Sequence, residues 1–568
     1  MTRKGGRPAK AGRGTGSDVR PQDLGPAAAG QVCTSGKPAR SGKSTGAGKS
    51  GKSGKSGKSG SATSERSTTL TSAVPAETAP GVPALRPPGQ TLYDMPYSAV
   101  APRMTNPDLG LHHLVARAGH NAAYEIDVTL LDAPDHRLVR SGVLLAHRVL
   151  DGRGEWYLSA SGWSPLLAED RVEPMGHADL PEELADLIRP LRRRAPLGPV
   201  AALRCERREF ALRGEGGATL ALLRDDRVTV RRGGLTTARY REVMLTPVGP
   251  GLSEEQTAWL DRAMLGVGSA QVPRFHPLAG RLGAPATGPS DIPSVTAFDP
   301  AAPARRFVAQ LVGLRLRRLV EADLAVRGGD AEAPARLVEQ AELLLAELGG
   351  LAPAVATGWL DDLVDELAWL TGPASEREAV DPLPGRLRGE RYLTLLDGLV
   401  AAARSPRLGE ASGQPAGAFV DGLLVAAVDR VAAAVAALGE PAGDQAEHPD
   451  DPDDQEDLGA GWAEVYRAVA AVDAATALAS HLRPERAAAV SERLARVRRS
   501  LDRARTQQLG GEAALARVAG LTPEQAFAAG REHERQVRAT ARAREEFRHA
   551  WGRAHRKLAR QLAPGSPS

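Results

Sequence analysis

Apolar residues change their spacing once along this chain, and the change falls in a stretch of Pro and Gly. Between Tyr124 and Leu245, short runs of Val, Leu, Thr and Tyr are separated by Gly, Asp and Pro. They cover Tyr124–Leu131, Gly142–Leu150, Trp156–Ser159, Ala201–Leu212, Thr219–Leu223, Arg227–Arg231 and Tyr240–Leu245. That texture predicts antiparallel strands. From Arg305 onward the apolar positions recur at the helical period, Ala and Leu dominate, and β-branched runs are absent. A chain with both periods in separate blocks predicts an α+β multidomain protein, with a strand domain first and an all-α bundle after it. Helices are also predicted over Leu180–Arg193, where Leu180, Leu184, Leu187, Ile188 and Leu191 share a face, and over Leu252–Leu265. Val272–Pro303 reads as a linker and the acidic insert Glu440–Asp457 as a solvated loop. The units expected are therefore a tail (1–90), a β domain (91–250), a helix and linker (251–303), a first helical half (304–410), a helix and acidic linker (411–457) and a second helical half (458–562).

Charge divides the chain as sharply. The first 90 residues hold 15 of the 73 basic and 4 of the 69 acidic residues, leaving 58 basic and 65 acidic in the rest. They are rich in Gly, Ser, Pro and Thr and cannot bury enough apolar surface to offset the entropy of ordering, so a disordered basic tail is expected. The sequence pI of about 9.1 describes that tail, and the remainder gives no electrostatic invitation to nucleic acid. Lys43, Lys49, Lys52, Lys55 and Lys58 lie in Gly-Ser surroundings, the last four at every third position. They make the tail a nonspecific lure for polyphosphate or nucleic acid. Gly46–Ser53 also satisfies a phosphate-loop pattern, but a working loop needs a strand before it and a helix after it, and this repeat has neither. With only Cys33 and Cys205, a disulfide framework and a Cys-rich zinc site are excluded. The most apolar stretch, Val420–Gly439, is broken by Asp421, Asp429 and Arg430, so no membrane insertion is expected and a cytoplasmic, soluble protein is, in which association with polyphosphate granules would go through the tail.

Several stretches carry a family resemblance. Leu131–Leu138, Gly142–Leu144, Trp156–Leu158, Arg204–Arg207, Leu220–Asp226 and Arg241–Glu242 follow one another as in a CYTH domain, the triphosphate tunnel fold. Ala331–Ala333, Glu366–Leu370, Arg391–Asp397 and Arg544–Trp551 resemble a CHAD domain, a helical bundle with two similar halves that often follows CYTH in bacterial proteins. The first resemblance implies an antiparallel barrel whose tunnel holds a divalent metal on Glu pairs and triphosphate on Arg or Lys. This sequence has lost much of that set: Ala146 and His147 stand at basic positions, Ser159 and Leu222 replace an expected Lys and Glu, and Met244 and Thr246 break the last acidic alternation. Arg148, Arg204 and Arg207 remain as residual anion-binding candidates and Glu242 as a residual metal candidate. The second resemblance implies a basic groove for polyphosphate, yet its positions fall on Ala335, Val338, Glu342 and Leu345 in one half and on Ala463, Tyr466, Ala470 and Asp473 in the other.

The function expected is a non-catalytic, degenerate CYTH and CHAD scaffold or binding protein, associated with polyphosphate or nucleic acid through its tail, or with a protein partner. It needs no cofactor. The alternative is a residual metal-dependent inorganic triphosphatase using Mg or Mn, which would require Glu125, Asp127 and Glu242 to converge with another carboxylate.

Overall fold

A computed structural model describes residues 89–562 apart from 120–121, 151, 168–169, 175–178, 295, 357, 373–381 and 440–451. The tail lysines and most of the acidic insert lie outside the described residues.

Among the described residues, ten strands form one antiparallel sheet: β1 (Thr91–Met95), β2 (His113–Ala116), β3 (Ala123–Asp132), β4 (Leu144–Leu150), β5 (Arg153–Ser159), β6 (Asp170–Pro174), β7 (Gly198–Arg213), β8 (Thr219–Arg232), β9 (Leu235–Pro247) and β10 (Ala270–Val272). Their order is β10-β1-β9-β8-β7-β3-β4-β5-β6, with β2 paired to one end of β7, and no pairing joins β10 to β6 among the described residues. The two strands expected at Thr219–Leu223 and Arg227–Arg231 are one continuous β8. The charged run that reads as a break, Arg224-Asp225-Asp226, stays in the ladder because its carboxylates are neutralised across the sheet, Asp225 by Arg241 and Asp226 by Arg207. A two-residue Gly233-Gly234 turn, both at positive φ (54° and 81°), joins β8 to β9 as a tight hairpin requires.

Among the described residues, five helices accompany the sheet: α1 (Arg137–Arg140), α2 (Glu182–Leu187), α3 (Arg189–Arg192), α4 (Glu254–Gly266) and α5 (Leu278–Leu282). The helix expected over Leu180–Arg193 is divided into α2 and α3 at Ile188, where Pro190 supplies no N–H to continue the first ladder. Helix α4 starts on a reciprocal Ser253–Gln256 capping box and packs Leu260 and Met264 against Tyr93, Val243 and Leu245 of the sheet.

Among the described residues, nine further helices form the C-terminal region: α6 (Ala304–Arg327), α7 (Ala333–Leu351), α8 (Asp361–Thr371), α9 (Leu383–Arg388), α10 (Glu390–Arg404), α11 (Ala416–Ala437), α12 (Pro452–Ser480), α13 (Pro484–Ala516) and α14 (Pro523–Gln561). The acidic insert ends earlier than expected, since α12 already begins at Pro452; a Pro followed by acidic residues suits a first helical turn.

Val272–Pro303 reads as a linker in sequence, but Val272 ends β10 and the passage after it is seated against both regions. Ile292 and the helical core residues Phe307, Leu311 and Leu316 form one apolar cluster with Leu145, Trp156 and Leu158 of the sheet and Leu184 and Ile188 beside it. Asp291, buried in this passage, accepts from Arg140 next to the sheet (2.9 Å), from Arg193 after α3 and from Arg404 at the end of α10. Asp186 on α2 likewise binds Arg327 of α6 (2.7 Å) and Arg388 of α9 (3.0 Å).

Candidate functional site

Side chains alternate across a strand, so register decides which charges can meet. Tyr124 of β3 stands opposite Arg207 of β7, Arg207 opposite Asp226 of β8, Asp226 opposite Glu242 of β9, and Glu242 opposite Asp94 of β1. These five residues form one polar row across five neighbouring strands on a single face. Arg148 lies on that face too, through its pairing with Val128. Arg204 does not: it is three residues from Arg207, an odd number, and projects on the opposite face, half exposed and bound to Glu125. Glu125 and Asp127 share that opposite face, so the structure does not bring them together with Glu242.

Each cation on the polar row already has an anion. Arg207 grips Asp226 through two parallel hydrogen bonds of 2.7 Å, and Arg224 Nε lies 3.1 Å from the same carboxylate. Arg148 Nε donates to Glu155 Oε1 at 2.5 Å, and its guanidinium covers the Tyr157 ring at 4.1 Å. Tyr157 in turn donates to Asp170 at 2.6 Å. The remaining acids are answered from outside the sheet. Helix α5 lays Leu278 and Leu282 on the face, among Ile126, Val128, Leu203, Val228 and Val230. Its Arg281 places Nη2 3.2 Å from Asp94 and 3.4 Å from Glu242, with the guanidinium 4.3 Å above the Tyr240 ring. Arg232 fixes the end of this segment by donating to the carbonyls of Leu282 (3.1 Å) and Ala284 (3.3 Å).

Burial pushes the Glu242 carboxyl up to about 7; Arg281 opposes that shift, nearby Asp226 adds to it and Arg224 opposes it. Because the folded value lies above the ordinary value of 4.5, the group favours the folded state most below pH 4.5, and that contribution is lost as pH rises through 7. Glu242→Gln is therefore expected to gain about 2 kcal/mol relative to the parent between pH 5 and pH 8. Urea unfolding of both proteins at those two pH values measures it, and a difference that does not change with pH would show that ionisation here is not penalised.

The donor set does not fit a divalent ion. Both oxygens of Asp226 are engaged by Arg207, and Arg281 supplies the positive charge between Asp94 and Glu242. Among the described residues no group of three or more His, Cys, Asp or Glu is placed to hold a metal. Sequence reasoning missed Asp94, because its short strand was not expected, and Arg281, because it sits in the passage read as a linker.

In the helical region, Ala335 and Glu342 on α7 and Ala463, Ala470 and Asp473 on α12 are exposed, while Val338, Leu345 and Tyr466 are half-buried. Leu345 and Tyr466 pack against the edge of the helical core, while Ala335, Glu342, Ala463 and Ala470 face solvent. Asp473 is bound to Arg498 of α13, and the Tyr466 ring lies 5.9 Å from the Arg505 guanidinium. Among the described residues no helix is long and apolar enough to cross a membrane.

No protein-family model matches the chain. Over 303 residues it is 27% identical to an uncharacterised protein of Mycobacterium tuberculosis, found in two strains, covering 50% of this chain and 56% of that protein. The chain thus spans about half the length of the curated relatives it matches. Among solved structures it is similar to a putative adenylate cyclase from Bacillus halodurans, at a TM-score of 0.18 and 16% identity over 30% of this chain and 94% of that one. It is also similar to a Hippeastrum protein of like description with a dominant triphosphatase activity, at a TM-score of 0.19 and 12% identity over 35% of this chain and 98% of that one. At such TM-scores neither likeness transfers a fold or an activity to this chain.

Proposed function

We propose that this protein is a non-catalytic scaffold of CYTH and CHAD type, in which the face that would work on a triphosphate is held shut by the chain's own Arg281. The observation that carries this reading is the seat of that guanidinium between Asp94 and Glu242, beneath which Arg207 is already saturated by Asp226. Metal-assisted phosphoryl hydrolysis needs carboxylates free to hold the ion and cations free to hold the phosphates; here the two sets neutralise each other. The tail lysines Lys43, Lys49, Lys52, Lys55 and Lys58 lie outside the described residues, and in this reading they tether the scaffold to polyphosphate by salt-sensitive attraction.

Purified protein is expected to release no phosphate from tripolyphosphate or nucleoside triphosphates with Mg or Mn, above a no-enzyme control. Metal-dependent release that disappears in Glu242→Ala would overturn the reading in favour of a residual triphosphatase. Arg281→Ala is the informative companion, because it leaves Asp94 and Glu242 in place while removing their internal cation.

A further inference from the structure

The formal charge of the folded part is not evenly spread. Residues 484–562 hold 18 basic and 9 acidic residues, whereas 91–483 hold 40 and 56. The excess positive charge belongs to the hairpin of α13 and α14, and most of it lies on one side of α14. At 3.6 residues per turn, Arg531, Arg535, Arg538, Arg542, Arg553 and Arg556 fall within about 60° of one another. Within that sector and span the one other residue is His549. All seven are exposed. The rigid helix spaces the arginines over about 37 Å at its rise of about 1.5 Å per residue.

Helix energetics do not explain this row. A macrodipole favours cations only in the last turn, which covers none of Arg531, Arg535, Arg538 and Arg542. Arg535 and Arg538 make surface pairs with Glu532 (2.7 Å) and Glu534 (2.8 Å) on their own helix, contacts of a few tenths of a kcal/mol that a phosphate readily replaces. Arg531, Arg542, Arg553 and Arg556 have no carboxylate partner among the described residues. On α13, Arg493 donates to Gln561 (2.6 Å) and Arg503 binds Glu546 (2.5 Å), contacts that tie the two helices of the hairpin together.

The geometry points to a docking ridge for the phosphate backbone of a double-stranded nucleic acid, bound without regard to sequence. Guanidinium groups match phosphate by two-pronged hydrogen bonding. The row's length is close to one turn of a duplex, about 34–36 Å. A straight, pre-ordered row suits a stiff ligand, since a flexible polyanion must lose its own freedom to follow it. Single strands are disfavoured because their recognition rests on aromatic stacking, and the two aromatics of this part of α14, Phe547 and Trp551, are buried. This surface is separate from the sheet face.

The test is a titration of the full chain with a duplex DNA of about two helical turns, at several salt concentrations. Three proteins are compared: the parent, the combined Arg542→Ala, Arg553→Ala and Arg556→Ala variant, and a variant with Lys43, Lys49, Lys52, Lys55 and Lys58 changed to Ser. Ala is a strong helix former, and circular dichroism and melting verify that the hairpin persists. The tail variant is expected to retain duplex binding. The ridge variant is expected to lose at least tenfold in affinity and about three from the slope of log affinity against log salt. Parallel arms use a single strand of equal length, long-chain polyphosphate, and phosphatidylserine vesicles, the last because Leu515, Leu521 and Phe527 are exposed near the hairpin tip. Unchanged duplex binding in the ridge variant, or ridge-dependent binding that is tighter for any of the other three ligands, would overturn the proposal. Because the tail and the sheet are intact in the ridge variant, its failure does not touch the scaffold reading.

Discussion

Asp291→Ala is expected to lower the stability of the protein by about 3–5 kcal/mol, the usual cost of removing one partner from a buried ion network. Asp291 is 4% exposed and is the common acceptor for Arg140, Arg193 and Arg404. Arg193 is itself 3% exposed and adopts a φ of +56°, a backbone region unfavourable for a residue with a Cβ. Its two carboxylate contacts, to Asp291 and to Asp397 at 2.6 Å, hold it there. Without Asp291, a guanidinium remains buried with half its compensation, and the strained turn loses a restraint. Denaturant unfolding of the variant, beside Glu339→Ala on the exposed side of α7 as a control within about 0.5 kcal/mol of the parent, measures the effect. A loss no larger than the control's would mean that the three arginines are hydrated rather than held.

The second large effect is expected at Asp226. Asp226→Ala removes the two-pronged carboxylate partner of Arg207, 4% exposed, and the near carboxylate of Arg224, and should cost about as much as the loss of Asp291. A double variant, Asp226→Leu with Arg207→Met, should recover most of that loss, because an apolar pair of similar volume carries no desolvation penalty. The double-mutant cycle is the measurement. If the double variant is less stable than Asp226→Ala alone, the pair contributes more than mutual neutralisation, and the face needs those charges for a ligand.

Much of the architecture follows from period alone. The strands β3, β4, β5, β7, β8 and β9 and the helices after Pro303 are set by apolar spacing that local sequence displays, whereas β6, Asp170–Pro174, has no apolar run and was not expected. Face assignment was half readable: a spacing of three separates Arg204 from Arg207 on any strand, whereas the spacing of Arg148 from Arg207 says nothing until β3 joins their strands. The partners of Glu242 were not readable, because Asp94 and Arg281 reach it from 148 residues before and 39 after, through short elements whose own sequences carry little signal. The hairpin's charge was present in the composition, but summing it with an acidic neighbour cancels it.

The seating of residues 273–303 bears on how such a chain can change over evolutionary time. Two regions joined by a loose tether can be duplicated, exchanged or fused elsewhere as separate cassettes. Here one passage contributes Arg281 to the sheet and Asp291 to three arginines drawn from both regions, while Trp156 and Leu158 share one apolar cluster with residues of the other. A helical region moved to a new host would leave that apolar sheet face wet and Arg193 without its acceptor. The sheet, passage and bundle are therefore expected to be inherited together, with substitutions on either side of the seam accumulating in matched sets.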